Sequence, residues 1–138
     1  MKKKTSAPRI SQKKKIPTPS AASILGTGID IIEVERIEKA IEQWGKHFLT
    51  HVFCPEEIAY ADERRNPAQH YAARFAAKEA ILKALGDNAH VSWKDMKILN
   101  DKNGRPYCEY GDKKFKNKIL ISISHTENYA VASAIITT

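Results

Sequence analysis

Cysteine and long apolar runs are both scarce in this chain of 138 residues, and each scarcity excludes a class of protein. The two cysteines, Cys54 and Cys108, lie far apart and in no metal-ligand spacing, which argues against a disulfide scaffold or a zinc site. No apolar run approaches the roughly 18 residues that a membrane-spanning helix needs, so we expect no membrane partner. A single soluble domain of ordinary size is therefore predicted.

Acidic residues are absent from residues 1–22, which hold seven basic residues and three prolines. The other 16 basic residues balance 16 acidic ones, so the formal charge of +7 belongs to this tail alone. A segment with so few large apolar side chains cannot offset its ordering entropy. We predict a disordered basic tail over 1–22 and one formally neutral domain over 23–138, which argues against a nucleic-acid-binding surface on the domain.

The tail lacks the apolar core of a secretory signal. It is free of acid, as transit peptides are, but rich in lysine where they favour arginine. Organelle targeting and a plain solvated extension both remain open, and a cytoplasmic location is expected.

The pattern of apolar residues predicts helices in the middle of the chain and strands at its ends. The Pro67 helix is the strongest because it is rich in alanine and ends before Gly86. An Asn-Gly turn between two β-like runs indicates a hairpin. The fold class is therefore α+β, with a small antiparallel sheet packed on a long central helix and shorter helices. The predicted elements are a strand over 24–32, helices over 33–44, 55–63 and 67–85, and strands over 95–100, 106–110, 118–125 and 129–137.

Asp30 interrupts an apolar, β-branched run that also contains Gly26 and Gly28. An unpaired carboxylate is costly to bury, so we expect Asp30 at the end of its strand, facing a cation, a helix N-terminus or water. The two glycines suggest a close backbone approach or a bulge.

Glu79 and Lys83 lie four residues apart and project from one face of the Pro67 helix. An exposed salt bridge between them is one interpretation. The other is that both face a charged ligand, since Phe75 and Leu82 on the same side leave the pair little solvent. Magnesium takes one or two protein carboxylates and completes its shell with water and phosphate oxygens, which Asp30 and Glu79 would suit.

His125 ends the alternating run Ile121–His125. From there it can reach over the sheet edge to donate to a phosphate or to take up a proton. A histidine hydrogen-bonded into the following turn is the plainer interpretation. The other four histidines show no partner pattern.

Four segments, in this order, resemble the holo-acyl-carrier-protein synthase family, the small 4′-phosphopantetheinyl transferases. The resemblance covers about residues 23–138. Its segments are Gly28-Ile29-Asp30, the central-helix run Arg74-Phe75-Ala76-Ala77-Lys78-Glu79-Ala80 with Lys83-Ala84 two residues beyond it, the turn Gly104-Arg105-Pro106, and Ser122-Ile123-Ser124-His125.

The resemblance implies transfer of 4′-phosphopantetheine from coenzyme A to a serine of apo-acyl carrier protein, in fatty acid biosynthesis. It implies that Asp30 and Glu79 hold Mg²⁺ and that Lys83 and His125 contact the coenzyme A phosphates. Three further features follow from it, namely Arg74 as a coenzyme A ligand, Gly104-Arg105-Pro106 as the loop against the adenine, and Arg36 as a contact to the acidic carrier protein.

The family is typically a homotrimer with each active site built between two subunits, and the resemblance implies the same here. The nucleophile would come from the carrier protein, so no serine of this chain needs activation. A water on the metal, Asp30 and His125 all remain candidates for the general base.

Two other functions compete with the transferase. A non-enzymatic RNA-associated module would use the basic tail as an electrostatic anchor, but it leaves Asp30, Glu79 and His125 unexplained. A different metal-dependent phosphotransferase would need a phosphate-binding loop. The sequence has no Gly-x-x-x-x-Gly-Lys-Ser/Thr segment, and Gly26-Thr27-Gly28 lacks the third glycine of a dinucleotide fingerprint.

Overall fold

The computed structural model describes Ser6, residues 20–86 and residues 90–138. Most of the basic tail thus lies outside the described residues, and its disorder stays a prediction. No described helix is long and apolar enough to cross a membrane.

The helices and strands follow the predicted order closely. Helix α1 ends before Gly45, where φ is +52°. The bounds are β1 Ile24–Glu33, α1 Val34–Trp44, α2 Lys46–Val52, α3 Pro55–Asp62, α4 Pro67–Leu85, a 3-10 turn Trp93–Asp95, β2 Met96–Asn100, β3 Pro106–Tyr110, β4 Lys118–His125 and β5 Tyr129–Thr137.

Two antiparallel units make up the β structure. One is a three-stranded sheet in the order β1-β5-β4, and the other is the β2-β3 hairpin. The α+β prediction is confirmed, with the strands divided between a sheet and a separate hairpin. The hairpin packs on α3, α4 and β4, so α4 contacts both β units.

Helix α4 is the centre of the core because small side chains let other elements approach it from several sides. Six of its alanines are buried, namely Ala72, Ala73, Ala76, Ala77, Ala80 and Ala84. Alanine also has the highest helix propensity, so the same residues favour the helix and its close packing. Strand β5, which packs on α4, also contributes buried alanines to this contact, namely Ala130, Ala132 and Ala134.

Gly26 and Gly28 allow β1 to lie directly against α4. A Cβ atom on Gly28 would lie 2.0 Å from the carbonyl oxygen of Ala80, and one on Gly26 would lie 1.9 Å from that of Ala84. The pairing with β5 also shifts register between Ile24 and Gly26. The expected close approach is confirmed at both glycines, and the register shift marks a bulge or irregularity beside Gly26.

Candidate active site

Asp30 lies inside β1, three residues before its end, where it pairs with Ala132 of β5. The expectation that it ends its strand is therefore wrong. The N-cap of α1 is Glu33, so Asp30 does not cap that helix either. Successive side chains of a strand alternate between faces, so Asp30 shares the α4-facing side with Gly28. The close approach at Gly28 brings the Asp30 carboxylate to α4. Asp30 can therefore meet a polar partner without lying at the end of its strand.

Asp30 and Glu79 line the same cleft, an open pocket of about 250 Å³. Phe75 forms part of its wall, as expected from its position one turn before Glu79. Burial, and then the negative charge of Asp30, raise the pKa of the Glu79 carboxyl, while Lys83 acts in the opposite direction. Two carboxylates that face one cleft and repel each other are stabilised when a cation lies between them.

Lys83 pairs with Asp30 and not with Glu79. Its Nζ donates to Asp30 Oδ1 at 3.2 Å and to the carbonyl oxygen of Ile29 at 2.9 Å. The Lys83 side chain is 53% exposed and that of Asp30 only 16%. The described residues contain no Glu79–Lys83 ion pair, so the interpretation of these two as a plain surface salt bridge is wrong. The ammonium group lies at the rim of the carboxylate cleft instead.

Arg74 lies in a second, larger cavity of about 490 Å³ together with Gly104 of the hairpin turn. Its Nη2 donates to Asn100 Oδ1 at 2.7 Å, and its guanidinium stacks on the Tyr60 ring at 3.8 Å. Arg64 covers the same ring at 3.7 Å. Two guanidinium groups thus flank one aromatic ring, which concentrates positive charge on this wall.

Among the described residues, Arg74 Nε is the buried side-chain nitrogen or oxygen left without a hydrogen-bond partner. An unpaired buried donor is costly. Arg64 and Lys102 also line the cavity, alongside Glu56 and Asp101. Because Glu56 pairs with Lys97 and Asp101 accepts from two backbone nitrogens, the remaining cations suit an anion.

His125 is the last residue of β4, as predicted, and is exposed. Its ring lies 5.3 Å from that of His70 in an edge-to-face arrangement, and His70 meets Tyr60 in the same way at 5.8 Å. Burial, followed by the charges of His125, Arg74 and Arg64, lowers the pKa of His70. These rings connect His125 to the wall of the Arg74 cavity.

Of the three other predicted residues, only Arg36 lines one of these cavities. Arg36 of α1 is exposed and lines the carboxylate cleft. Arg105 and Pro106 follow Gly104 at the start of β3, and Arg105 N donates to Asp101 Oδ1 at 2.9 Å. Gly104 has φ +81°, a conformation that glycine adopts without strain.

The donor set of the first cleft suits a hard cation that needs few protein ligands. No cluster of three or more His, Cys, Asp or Glu side chains occurs within residues 20–86 and 90–138. A zinc-type site therefore does not fit the described residues, whereas two carboxylates in an open cleft fit Mg²⁺.

Sequence reasoning missed the partners that surround Arg74. His70 had shown no partner pattern, yet it packs on His125, and Tyr60, Arg64 and Asn100 were not singled out. Only tertiary contacts join them, since Arg74 and Asn100 are 26 residues apart. The one local signal for such partners is the spacing of Arg74 and Lys78. Two cations one turn apart on an alanine-rich helix indicate that polar groups pack against that helix.

Comparisons with known proteins show the family of the chain. Residues 26–134 match the model of the 4′-phosphopantetheinyl transferase superfamily. The chain is 49% identical to the holo-[acyl-carrier-protein] synthase of Protochlamydia amoebophila, over 80% of this chain and 96% of that protein. It is 46% identical to the enzyme of the same name from Thermodesulfovibrio yellowstonii, over 83% of this chain and 99% of that protein.

Solved structures show the same fold. The holo-(acyl-carrier-protein) synthase of Bacillus anthracis, determined in complex with coenzyme A (3′,5′-ADP), superposes with a TM-score of 0.74 at 34% identity, covering 86% of this chain and 99% of that one. The Helicobacter pylori enzyme, in complex with coenzyme A, gives 0.72 at 30% identity, covering 80% and 98%. The chain therefore belongs to the 4′-phosphopantetheinyl transferase superfamily.

Proposed function

We propose that this transferase moves the 4′-phosphopantetheine arm of coenzyme A onto a serine of an apo-acyl carrier protein, with Mg²⁺ held by Asp30 and Glu79. The products would be holo-acyl carrier protein and adenosine 3′,5′-bisphosphate, and the pathway served would be fatty acid biosynthesis. The observation that carries the proposal is that Asp30 and Glu79, 49 positions apart in the sequence, line one cleft beside Lys83.

Bound Mg²⁺ would neutralise charge on the pyrophosphate of the donor and on the departing nucleotide. The two carboxylates would hold the cation, and a positive charge there would offset both the burial of Glu79 and the charge of Asp30, which together raise the pKa of Glu79. Lys83 supplies a compact positive charge at the rim of the cleft, where it can turn from Asp30 to a phosphate oxygen.

The donor nucleotide would occupy the cavity of Arg74 and Gly104. Two guanidinium groups, Lys102 and the unpartnered Arg74 Nε favour a phosphate group there. His125 would contact the phosphates from the end of β4. Arg105 and Pro106 continue the turn that would face the adenine.

The acceptor would approach along α1. Arg36 is exposed at the mouth of the carboxylate cleft, where it can contact an acidic carrier protein and bring its serine toward the metal. The nucleophile of the reaction would be that serine. A cytoplasmic location belongs to the same proposal and rests on the carrier-protein partner.

A homotrimer with active sites between subunits is part of the proposal. The face of the β1-β5-β4 sheet turned away from α4 carries exposed apolar side chains, among them Ile29, Ile31 and Leu120 at 65%, 66% and 54% exposure. Large exposed apolar side chains grouped on one sheet face, here interspersed with Ser122 and Ser133, are a feature of interfaces between chains. The carboxylate cleft and the Arg74 cavity are separate pockets in one chain, so a neighbouring copy could complete the path between them.

The proposal is tested by incubating the protein with apo-acyl carrier protein, coenzyme A and Mg²⁺, and weighing the carrier by mass spectrometry. We expect a phosphopantetheine adduct that is lost when a chelator removes the metal. Failure to modify any of several carrier proteins would refute the transferase assignment.

Deleting residues 1–22 separates this function from the RNA-associated alternative. The site residues all lie in 23–138, so the truncated chain should modify the carrier at close to the full-length rate. The alternative instead expects salt-sensitive nucleic-acid binding that disappears with the tail. A collapse of transferase activity on truncation would show that the boundary at residue 22 is wrong.

A further inference from the structure

The face of α4 next to the carboxylate cleft carries a second set of charges that the transfer reaction does not use. Lys78 and Glu57 form an ion pair at 2.7 Å, and both side chains are 0% exposed. Lys78 Nζ also donates to the carbonyl oxygens of Val52 at 2.7 Å and Trp93 at 3.1 Å. All three donors of the ammonium group are therefore satisfied inside the protein.

Glu57 passes this contact on to the hairpin. Its Oε2 accepts from the backbone nitrogen of Ile98 in β2 at 3.1 Å, while Oε1 accepts from Lys78 and from the Cys54 nitrogen at 2.9 Å. One buried carboxylate thus joins α3, α4 and β2.

Arg74 makes the second connection to the same strand through Asn100. Four residues of helix rise about 6 Å and two residues of strand about 6.7 Å, so Arg74 and Lys78 match Asn100 and Ile98 in spacing. We call these two connections, Lys78–Glu57–Ile98 and Arg74–Asn100, the hairpin clamp. The clamp fixes both the register and the direction of β2 along α4.

The hairpin turn is attached to this clamp as one rigid piece. Asn100 Nδ2 donates to the carbonyl oxygen of Gly104 at 3.0 Å, so the residue that receives Arg74 also holds the turn. The Asp101 side chain holds the turn together, since its Oδ1 accepts hydrogen bonds from the backbone nitrogens of Asn103 at 2.8 Å and Arg105 at 2.9 Å. The orientation of the whole turn relative to α4 therefore depends on Asn100.

We propose that the hairpin clamp sets the distance between the Gly104–Pro106 turn and the Glu79–Lys83 face of α4, and so determines how tightly the nucleotide end of the donor is held. This inference rests on the proposed function, since it takes the donor to span both faces of α4. Glu57 is a positioning residue that acts through Lys78 and Ile98, away from the cavity. Asn100 positions the turn and also lines the cavity, so the Glu57 variant separates positioning from direct contact. Arg74 would then hold the hairpin in place through Asn100, in addition to any contact that it makes with the donor.

The test compares Asn100→Ala with Asn103→Ala, a substitution of the same residue type in the same turn. The Asn103 side chain makes no hydrogen bond among the described residues, so its variant should match the wild type. Asn100→Ala should raise KM for coenzyme A about tenfold, since it removes a hydrogen bond to a charged group, and should leave kcat within about twofold. KM for the carrier protein and the Mg²⁺ requirement should not change, because the carboxylate cleft is intact.

A direct binding measurement makes the result independent of turnover. Calorimetric titration with adenosine 3′,5′-bisphosphate should show about tenfold weaker binding to Asn100→Ala than to Asn103→Ala. Glu57→Gln breaks the other connection and should weaken nucleotide binding in the same direction, measured at a temperature where circular dichroism shows it folded. Equal nucleotide affinity in all three variants and the wild type would overturn the inference, as would a loss confined to kcat. Absence of transfer by the wild type would instead contradict the proposed function.

Discussion

Two lysines of α4, five residues apart, show how differently one residue type is used on two faces of a helix. Lys78 is fully buried, and its three hydrogen bonds run to Glu57 and to two backbone carbonyls. Lys83 is 53% exposed and donates to Asp30 and to the carbonyl oxygen of Ile29. The buried charge cannot leave its partners without a large desolvation cost, whereas the exposed one can exchange them. Helix α4 thus has a fixed structural face and an adaptable face that suits a charged substrate.

The largest effect is expected on the adaptable face, from Glu79→Gln. This change keeps the shape and removes the charge, so the metal loses one of two carboxylates and the rate of carrier modification should fall by about 100-fold or more. The midpoint of thermal unfolding should not fall, because the substitution removes a half-buried charge that Asp30 repels. Mass spectrometry and a thermal melt measure the two effects, and near-normal activity would mean that Glu79 does not hold the metal.

Lys78→Met should break the fixed face. It leaves the Glu57 carboxylate buried without its cation, which costs about 3–5 kcal/mol of unfolding free energy. The matched control is Lys83→Met, which removes an exposed pair and should cost about 1 kcal/mol or less. Urea denaturation of both variants tests the contrast. Similar unfolding free energies for the two variants would show that the buried Lys78–Glu57 pair stabilises the fold no more than the exposed pair does.

The two faces also depend on how closely β1 approaches α4, which Gly28→Ala would disturb. The added Cβ would meet the Ala80 carbonyl oxygen at 2.0 Å, and we expect a cost of about 1–3 kcal/mol together with a higher Mg²⁺ requirement as Asp30 moves away from Glu79. Gly111→Ala is the control, since its nearest neighbour there would be 3.5 Å away. Chemical denaturation and a magnesium titration of activity distinguish the two, and equal behaviour would contradict the packing argument.

The smallest expected effect concerns the two thiols near the fixed face. Burial raises the pKa of Cys108 to about 12, and burial followed by Glu57 raises that of Cys54. A raised pKa leaves little thiolate at pH 8, so both cysteines should react slowly with a thiol reagent in the native protein and quickly in urea. A fast native reaction at pH 8 would show that the region around Glu57 opens readily.

Most of the fold could be predicted from local signals. The predicted strands over 106–110, 118–125 and 129–137 have the observed bounds, and α4 begins at Pro67 and ends at Leu85 as expected. These elements could be predicted because proline, glycine and alternating apolar residues determine the backbone conformation of their immediate neighbours in the chain. The position of Asp30 was harder to predict, because its cost inside a strand is offset by Lys83, 53 residues away.

The sequence by itself determined the elements, their order and the residues with chemical potential, since these follow from short-range periodicity and from motifs in a fixed order. Only the tertiary structure decided which charge pairs with which. In the folded protein Lys83 pairs with Asp30, Lys78 with Glu57 and Arg74 with Asn100, and in no pair are the two residues near each other in the chain. The physical reason is that desolvation and hydrogen bonding depend on the packed surroundings of a group, and those surroundings come from segments that the sequence lists far apart.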